Sequence, residues 1–485
     1  MGSGWLAVTI TITLIAIDFV VRILALIFVP KNRRPQTALA WLLAIYFLPY
    51  VGIILFLILG RARLPRARRS KQQQINEYIH DTTEGADLVT RDLSSPAWLE
   101  PIVQLNRTLG STPLVGGNSA QMWAENAVSL AQMTAAIRAA KTTVHAEFYI
   151  LLLDPTTADF FEALAEAHDR GVVVRVLLDH LGNAQYPGYR RTVRRLNKMG
   201  VQWRRMLPFR PSRGQFQRPD IRNHRKLLVI DGEVAFTGSQ NIIDPGYQRR
   251  RNKRRGLQWK DYMVRFEGPV VAGIDALFAT DWFSETGDLL PRQTPSERHS
   301  GGDYDCQVVP SGPGVEGENN LRLFNSLVYA AQRKVILTSP YFVPDDSMLY
   351  AITTAAQSGL DVQLFVSEIG DQFLVFHGQR SYYETLLRAG VKIWLYAEPT
   401  ILHAKHLTID DEISVIGSSN MDMRSFSLDL EISIMVRGEK FLAELRAIED
   451  ANRARSRELT LEEWLRRPIR HRTLDNLARL TAAVQ

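Results

Sequence analysis

Residues 224–241 read HRKLLVIDGEVAFTGSQN, and residues 403–420 read HAKHLTIDDEISVIGSSN. His224, Lys226 and Asp231 precede Gly238, Ser239 and Asn241 at the spacing with which His403, Lys405 and Asp410 precede Gly417, Ser418 and Asn420. Six fixed identities make a chance match about one in 10⁵ for a chain this long at ordinary composition, so two complete copies are not accidental. The apolar run behind each histidine predicts a strand, where residues two apart share a face, which sets each His beside its Lys. Asp231 before Gly232 predicts a tight hairpin turn, and the returning strand brings Ser239 and Asn241 back toward the histidine. Each copy thus offers an imidazole, an ammonium, a hydroxyl and a carboxamide to one point. Such a set suits a phosphodiester: Lys, Ser and Asn bind nonbridging oxygens, and two imidazoles serve attack and proton donation.

Outward from these copies, one order of patterns occurs twice. The first pass predicts a helix at Ala135–Ala140, a strand at Val144–Leu152, a helix at Phe160–His168 and a strand at Val172–Leu178. The second predicts a helix at Leu323–Gln332, a strand around Val335–Val343, a helix at Ala351–Ala356 and a strand at Val362–Val366. Thr286–Tyr304, rich in Gly, Pro, Ser and charge, reads as the linker between them. Alternating strands and helices predict an α/β fold of layered sheet and helices. Two similar halves, residues 72–290 and 291–485, would share one site at their junction, the second ending in a C-terminal helix.

Ahead of both halves, Trp5–Val29 is apolar but for Asp18 and Arg22, and Ala38–Leu59 carries no charge. Each exceeds the roughly 20 residues a helix needs to cross a bilayer. A cleaved signal peptide is disfavoured, because the first apolar part is too long, no basic region precedes it and a second stretch follows. Residues 1–71 are therefore expected to form a membrane anchor of two helices with a basic flank. Asp18 and Arg22, four apart, can neutralise each other on one helix face, and Pro49 is expected to kink the second helix. Arg61, Arg63, Arg66, Arg68, Arg69 and Lys71 then follow with no acidic residue between, against Lys31, Arg33 and Arg34 in the intervening turn. That asymmetry places the remaining chain in the cytoplasm, while the basic turn leaves open a shallow hairpin entering and leaving by one face.

The chain has 485 residues, 46% hydrophobic and 22% charged, which is too long for one ordinary core and too apolar for disorder. A formal charge of +7 and a pI near 9.4 favour anionic partners, nucleic acid and acidic lipid alike. Cys306 is the one cysteine. Its solitude excludes an intrachain disulfide framework and a cysteine-clustered zinc site, and fits a reducing compartment.

The doubled HxKxxxxD constellation resembles the phospholipase D superfamily, whose enzymes pair two such halves around one active site. With the double apolar stretch, AWLLAIYFLPYVGIILFLILG at residues 40–60 and NMDMRSFSLDLE at 420–431, the chain resembles the bacterial cardiolipin synthases within it over nearly its whole length. That resemblance implies transfer of a phosphatidyl group between two phosphatidylglycerols through a phosphohistidine, giving cardiolipin and glycerol with no metal and no cofactor. It implies His224 as nucleophile and His403 as general acid, with Lys226, Asp231, Lys405 and Asp410 completing the motifs, on a bacterial plasma (inner) membrane. It further implies a carboxylate downstream of each motif that holds the imidazole by its second nitrogen. Asp261, 37 residues after His224, and Glu431, 28 after His403, are the candidates; the nine extra residues match the basic run around Arg249–Leu257. Asp231 and Asp410 read first as braces of the hairpin turn.

Arg249, Arg250, Arg251, Lys253, Arg254 and Arg255 form either a solvated loop or a lipid-headgroup contact. Arg210, Arg213, Arg218 and Arg222 approach the first motif similarly, and Glu147 either lines the cleft or faces solvent. Leu474–Val484 reads as a packing helix. A hydrolytic phospholipase D and a membrane-tethered nuclease stay open as alternatives, since both would carry the same motif. The resemblance implies phosphatidylglycerol and anionic membrane lipids as partners, and the two apolar segments argue against nucleic acid; oligomeric state is not legible.

Overall fold

The computed structural model describes residues 2–31, 33, 35–60, 70–71, 96–213, 215, 217–291, 301–313 and 317–481. Arg34, the basic residues 61–69 and most of the linker lie outside that set. The chain divides into two compact units, residues 1–63 and 64–485.

In the first unit, α1 (Gly2–Phe28) is one helix, and its Val8–Phe28 portion is long and apolar enough to cross a membrane. The second apolar stretch is not one kinked spanning helix. It divides into α2 (Pro35–Phe47) and α3 (Pro49–Leu59), of 13 and 11 residues, each too short to span. Pro49 cannot continue the ladder of α2 but suits the first position of α3. Gly52 then lets α3 fold back on α2, because a Cβ there would strike the Ala44 carbonyl. The Arg33 guanidinium closes the hairpin, donating to the Gly60 carbonyl at 2.7 and 3.1 Å and to the Phe28 carbonyl at 3.2 Å. Asp18 and Arg22 pair at 2.7 Å.

In the second unit, the first half contributes β1 (Leu114–Trp123), β2 (Thr143–Phe148), β3 (Val173–Asp179) and β4 (Gln202–Met206). The hairpin β5 (Lys226–Ile230) and β6 (Val234–Gly238) follows, then β7 (Gln258–Lys260) and β8 (Met263–Glu267). The second half supplies β9 (Tyr304–Ser311), β10 (Lys334–Thr338), β11 (Phe342–Val343), β12 (Asp361–Ser367), β13 (Lys392–Tyr396) and β14 (Thr400–Leu402). Its motif hairpin is β15 (His406–Ile409) and β16 (Ile413–Gly417), followed by β17 (Met421–Asp422), β18 (Glu431–Arg437) and β19 (Ser456–Leu459). The strand expected at Val144–Leu152 leaves its ladder after Phe148, and that expected at Val335–Val343 breaks between β10 and β11.

The halves are not separate layers. A 15-stranded sheet runs through both, ordered β19-β13-β12-β10-β15-β16-β18-β9-β1-β8-β6-β5-β2-β3-β4. The order is mirrored about the antiparallel β1–β9 pair, as a pseudo-twofold axis requires. Packing crosses the boundary placed at residue 290. Leu99, Ile102 and Val103 of helix Leu99–Gly110 bury against Leu323, Leu327 and Val335 of the second half. Phe441 and Leu445 of helix Glu439–Ala454 share a core with Phe266, Ile274 and Phe278 of the first.

Candidate active site

Both histidines stand just before their motif strands, and backbone of the opposite half fixes each. The His224 amide donates to the Leu430 carbonyl at 2.9 Å, and the His403 amide to the Lys260 carbonyl at 2.8 Å. The side chains repeat the exchange. His224 Nδ1 meets Glu431 Oε1 at 2.9 Å, and His403 Nδ1 meets Asp261 Oδ1 at 2.6 Å. The expectation that each carboxylate serves the histidine upstream of it in its own half is thus overturned. The reason is topological: β7 pairs in parallel with β14, which sets Lys260 beside Leu402 and carries Asp261 to the opposite motif.

The two serines are corrected as well. Ser239 Oγ donates to Asp261 Oδ1 at 2.8 Å and Ser418 Oγ to Glu431, so they brace the carboxylates instead of meeting a phosphate. Asn241 and Asn420 line the cavity with both histidines. Lys226 and Lys405 lie beneath the imidazoles, each ammonium donating to the carbonyl of its own motif histidine. Asp231 and Asp410 sit at the far end of each hairpin with φ of 54° and 48°. Asp231 accepts the amides of Lys141, Thr142 and Thr143 at 2.9, 2.7 and 2.9 Å. Asp410 accepts those of Gln332, Arg333 and Lys334 at the same distances. Neither aspartate lies at the histidines.

Burial governs the electrostatics. It pushes Lys226 down to about 8 and Lys405 to about 7. Burial and Lys226 drive His224 well below the ordinary histidine range, and burial and Lys405 bring His403 to about 4 against the pull of Asp261. The carboxylates differ. Burial raises Glu431 to about 7, whereas His403, Lys405 and Ser239 overcome burial at Asp261 and hold it below its ordinary value.

The histidines open on a cavity of about 370 Å³ also lined by Tyr149, Tyr247, Tyr341, Asp371, Asp422, Arg424 and Asp429. Tyr149 stands edge-on to His224 at 4.9 Å, and Tyr247 and Tyr341 to His403 at 6.4 Å. Nothing in the sequence marks any of these seven by role. The 420–431 string held Asp422, Arg424 and Asp429 in view, but nothing in their spacing marks them. Of the cationic run, Arg249 lines the cavity while Arg250, Arg251, Lys253, Arg254 and Arg255 are exposed around helix Arg250–Arg254. Arg222 is buried, donating to the Leu207 carbonyl at 3.1 Å. Glu147 faces neither cleft nor solvent; it is buried and takes a hydrogen bond from Asn223. Among the described residues, no three His, Cys, Asp or Glu side chains are grouped as a metal site requires.

Residues 133–282 and 325–451 match a family model described as cardiolipin synthase, phospholipase D-like domain, and residues 20–61 match one described as phospholipase D-nuclease N-terminal. The chain is 34% identical over 459 residues to cardiolipin synthase A of Proteus mirabilis, covering 92% of each chain. It is 35% identical over 463 residues to cardiolipin synthase A of Yersinia pseudotuberculosis, at the same coverage of both. The solved phosphatidylserine synthase of Haemophilus influenzae shares the fold, with a TM-score of 0.60 over 79% of this chain and 99% of that one at 14% identity. With two complete motifs meeting in one cavity and matches spanning both halves, the chain belongs to the phospholipase D-like cardiolipin synthase family.

Proposed function

We propose that the protein is a membrane-bound cardiolipin synthase that transfers a phosphatidyl group from one phosphatidylglycerol to another. The observation that carries this reading is the pair of crosswise-held imidazoles on one cavity: with each Nδ1 tied to a carboxylate, each Nε2 remains for phosphorus or a proton. We assign His403, whose Nδ1 meets Asp261 Oδ1 at 2.6 Å, as the general acid and His224, whose Nδ1 meets Glu431 Oε1 at 2.9 Å, as the nucleophile. His224 Nε2 forms a bond to phosphorus as the bond to the glycerol oxygen breaks, and His403 protonates that oxygen. The hydroxyl of the second phosphatidylglycerol then attacks phosphorus, the P–N bond breaks, and His403 takes the proton. Arg424, Asn241 and Asn420 line the path of the nonbridging oxygens, and Lys226 and Lys405 add positive potential from beneath.

The anchor supports a cytoplasmic catalytic unit. Because Arg33 ties the start of α2 to the end of α3, the chain leaves the hairpin on the side where α1 ended. Arg33 of the turn thus lies at the end of the hairpin from which the chain leaves at Gly60; with the basic run that follows in the sequence, the positive-inside rule makes that end cytoplasmic, with the N-terminus opposite. The exposed cations of Arg250–Arg255, next to cavity-lining Arg249, suit anionic headgroups.

The test is product analysis of the detergent-solubilised protein with phosphatidylglycerol labelled in its terminal glycerol. Cardiolipin and free glycerol in near equal amounts are expected; phosphatidic acid alone would make the protein a hydrolase, and turnover of DNA would make it a nuclease.

A further inference from the structure

Three carboxylates line a cavity that receives an anionic phosphodiester, an arrangement that costs binding energy unless each has another use. Two are occupied by their own fold. Asp422 caps helix Met423–Ser427 by accepting the Ser425 amide at 2.8 Å, and Asp429 pairs with Arg424 at 3.2 Å. Asp371 is different. Its two oxygens accept the Tyr341 hydroxyl at 3.0 and 3.1 Å, and its own amide and that of Gln372 also bond to it; all of these donors are neutral, and a carboxylate has acceptor capacity beyond them.

The surroundings say what Asp371 is for. Tyr341 and Tyr247 present their rings to His403, so the carboxylate lies on the general-acid side. Arg249 also lines this part of the cavity, its guanidinium bonded to Gln185 at 2.7 Å and set over the Tyr186 ring at 5.2 Å. Its charge acts on Asp371 and opposes a cationic guest there. A group held here must donate to a carboxylate, remain uncharged, and rest its carbon skeleton on aromatic rings. A polyol meets all three conditions.

We infer that Asp371 and Tyr341 form the subsite for the glycerol headgroup, binding the hydroxyl next to the reacting one. The inference rests on the phosphatidyl-transfer reading. One subsite serves both half-reactions, since leaving and incoming glycerol occupy the same position relative to phosphorus and His403. In the first, the P–O bond to glycerol breaks with proton transfer from His403; in the second, the acceptor oxygen bonds phosphorus, the P–N bond to His224 breaks, and the proton returns. Asp371 bonds only the neighbouring hydroxyl and exchanges no proton. It is a specificity determinant that favours glycerol over water or a simple alcohol.

The experiment is a competition between free glycerol and 1-propanol for the phosphatidyl group of phosphatidylglycerol in mixed micelles, with the wild-type chain, Asp371→Asn and Tyr341→Phe. A ratio taken within one sample is indifferent to how much of a variant folds. Wild type should favour glycerol, and Asp371→Asn should lower the glycerol-to-propanol ratio about tenfold or more, the effect of weakening a charge-assisted hydrogen bond. Tyr341→Phe should lower it less. An unchanged ratio in Asp371→Asn overturns the subsite, as does a wild-type preference for ethanolamine over glycerol. A wild-type protein that yields only phosphatidic acid with every alcohol removes the transfer reading itself, and the subsite with it.

Discussion

Asp261 lies in the first half of the chain and holds the histidine of the second, and that exchange makes its substitution informative. Asp261→Asn should lower turnover by on the order of 10²–10⁴-fold through His403, the proton donor. With a phosphatidyl ester whose leaving group needs no protonation, Asp261→Asn should still trap the phosphatidyl group on His224, whereas Glu431→Gln should not; the reverse pattern in a radiolabel trapping assay would exchange the two roles. A second outcome follows from the lysines. A lowered ammonium pKa means the charge is present below it and lost as pH rises through it, so Lys405 near 7 and Lys226 near 8 set an alkaline limb. The kcat/KM for phosphatidylglycerol should fall between about pH 7 and 8, and Lys405→Arg should carry the limb upward. A profile flat to pH 9 would contradict this. The motif histidines and lysines were legible because identity and spacing alone mark them. The partners of the carboxylates were not, because a local sequence contains no information on which strand ends meet across an axis.

At the scale of elements, the motif's aspartates and glycines serve the hairpin. Gly238 and Gly417 admit the neighbouring strand, since a Cβ on either would strike the carbonyl of Tyr262 or Ile432. Asp231→Ala strips three backbone amides of their acceptor and should cost about 1–3 kcal/mol of stability. Urea denaturation should register that loss, while kcat per folded molecule stays near wild type; a collapse of kcat at full stability would return Asp231 to the chemistry. The α2–α3 hairpin makes its own prediction. Single cysteines at Gly2 and at Ser70 in a Cys306→Ala background should be labelled by a membrane-impermeant thiol reagent from opposite sides, and labelling from one side would restore two spanning helices. Hydropathy could not distinguish these outcomes, because an apolar stretch has the same composition whether or not it turns back at Pro49.

Across the whole molecule, repetition in the sequence points to two similar halves around one site, and the mirrored order of strands is what the structure adds. Repetition could not foretell that β1 and β9 join those strands into a single sheet, because neither strand carries a motif and their pairing spans almost two hundred residues of chain. Nor did it foretell the helices that pack across the boundary. These features deny the cleft a hinge. Parting the halves like jaws would break the β1–β9 ladder and expose the core around Phe266 and Phe441, so the two motifs are held at one separation. The space of about 370 Å³ before the histidines is lined by polar and aromatic side chains suited to headgroups. With the tails left in the bilayer, turnover is expected to be blind to their length, and the cardiolipins made from mixed-chain phosphatidylglycerol should copy its fatty acids, as mass spectrometry of the products would show.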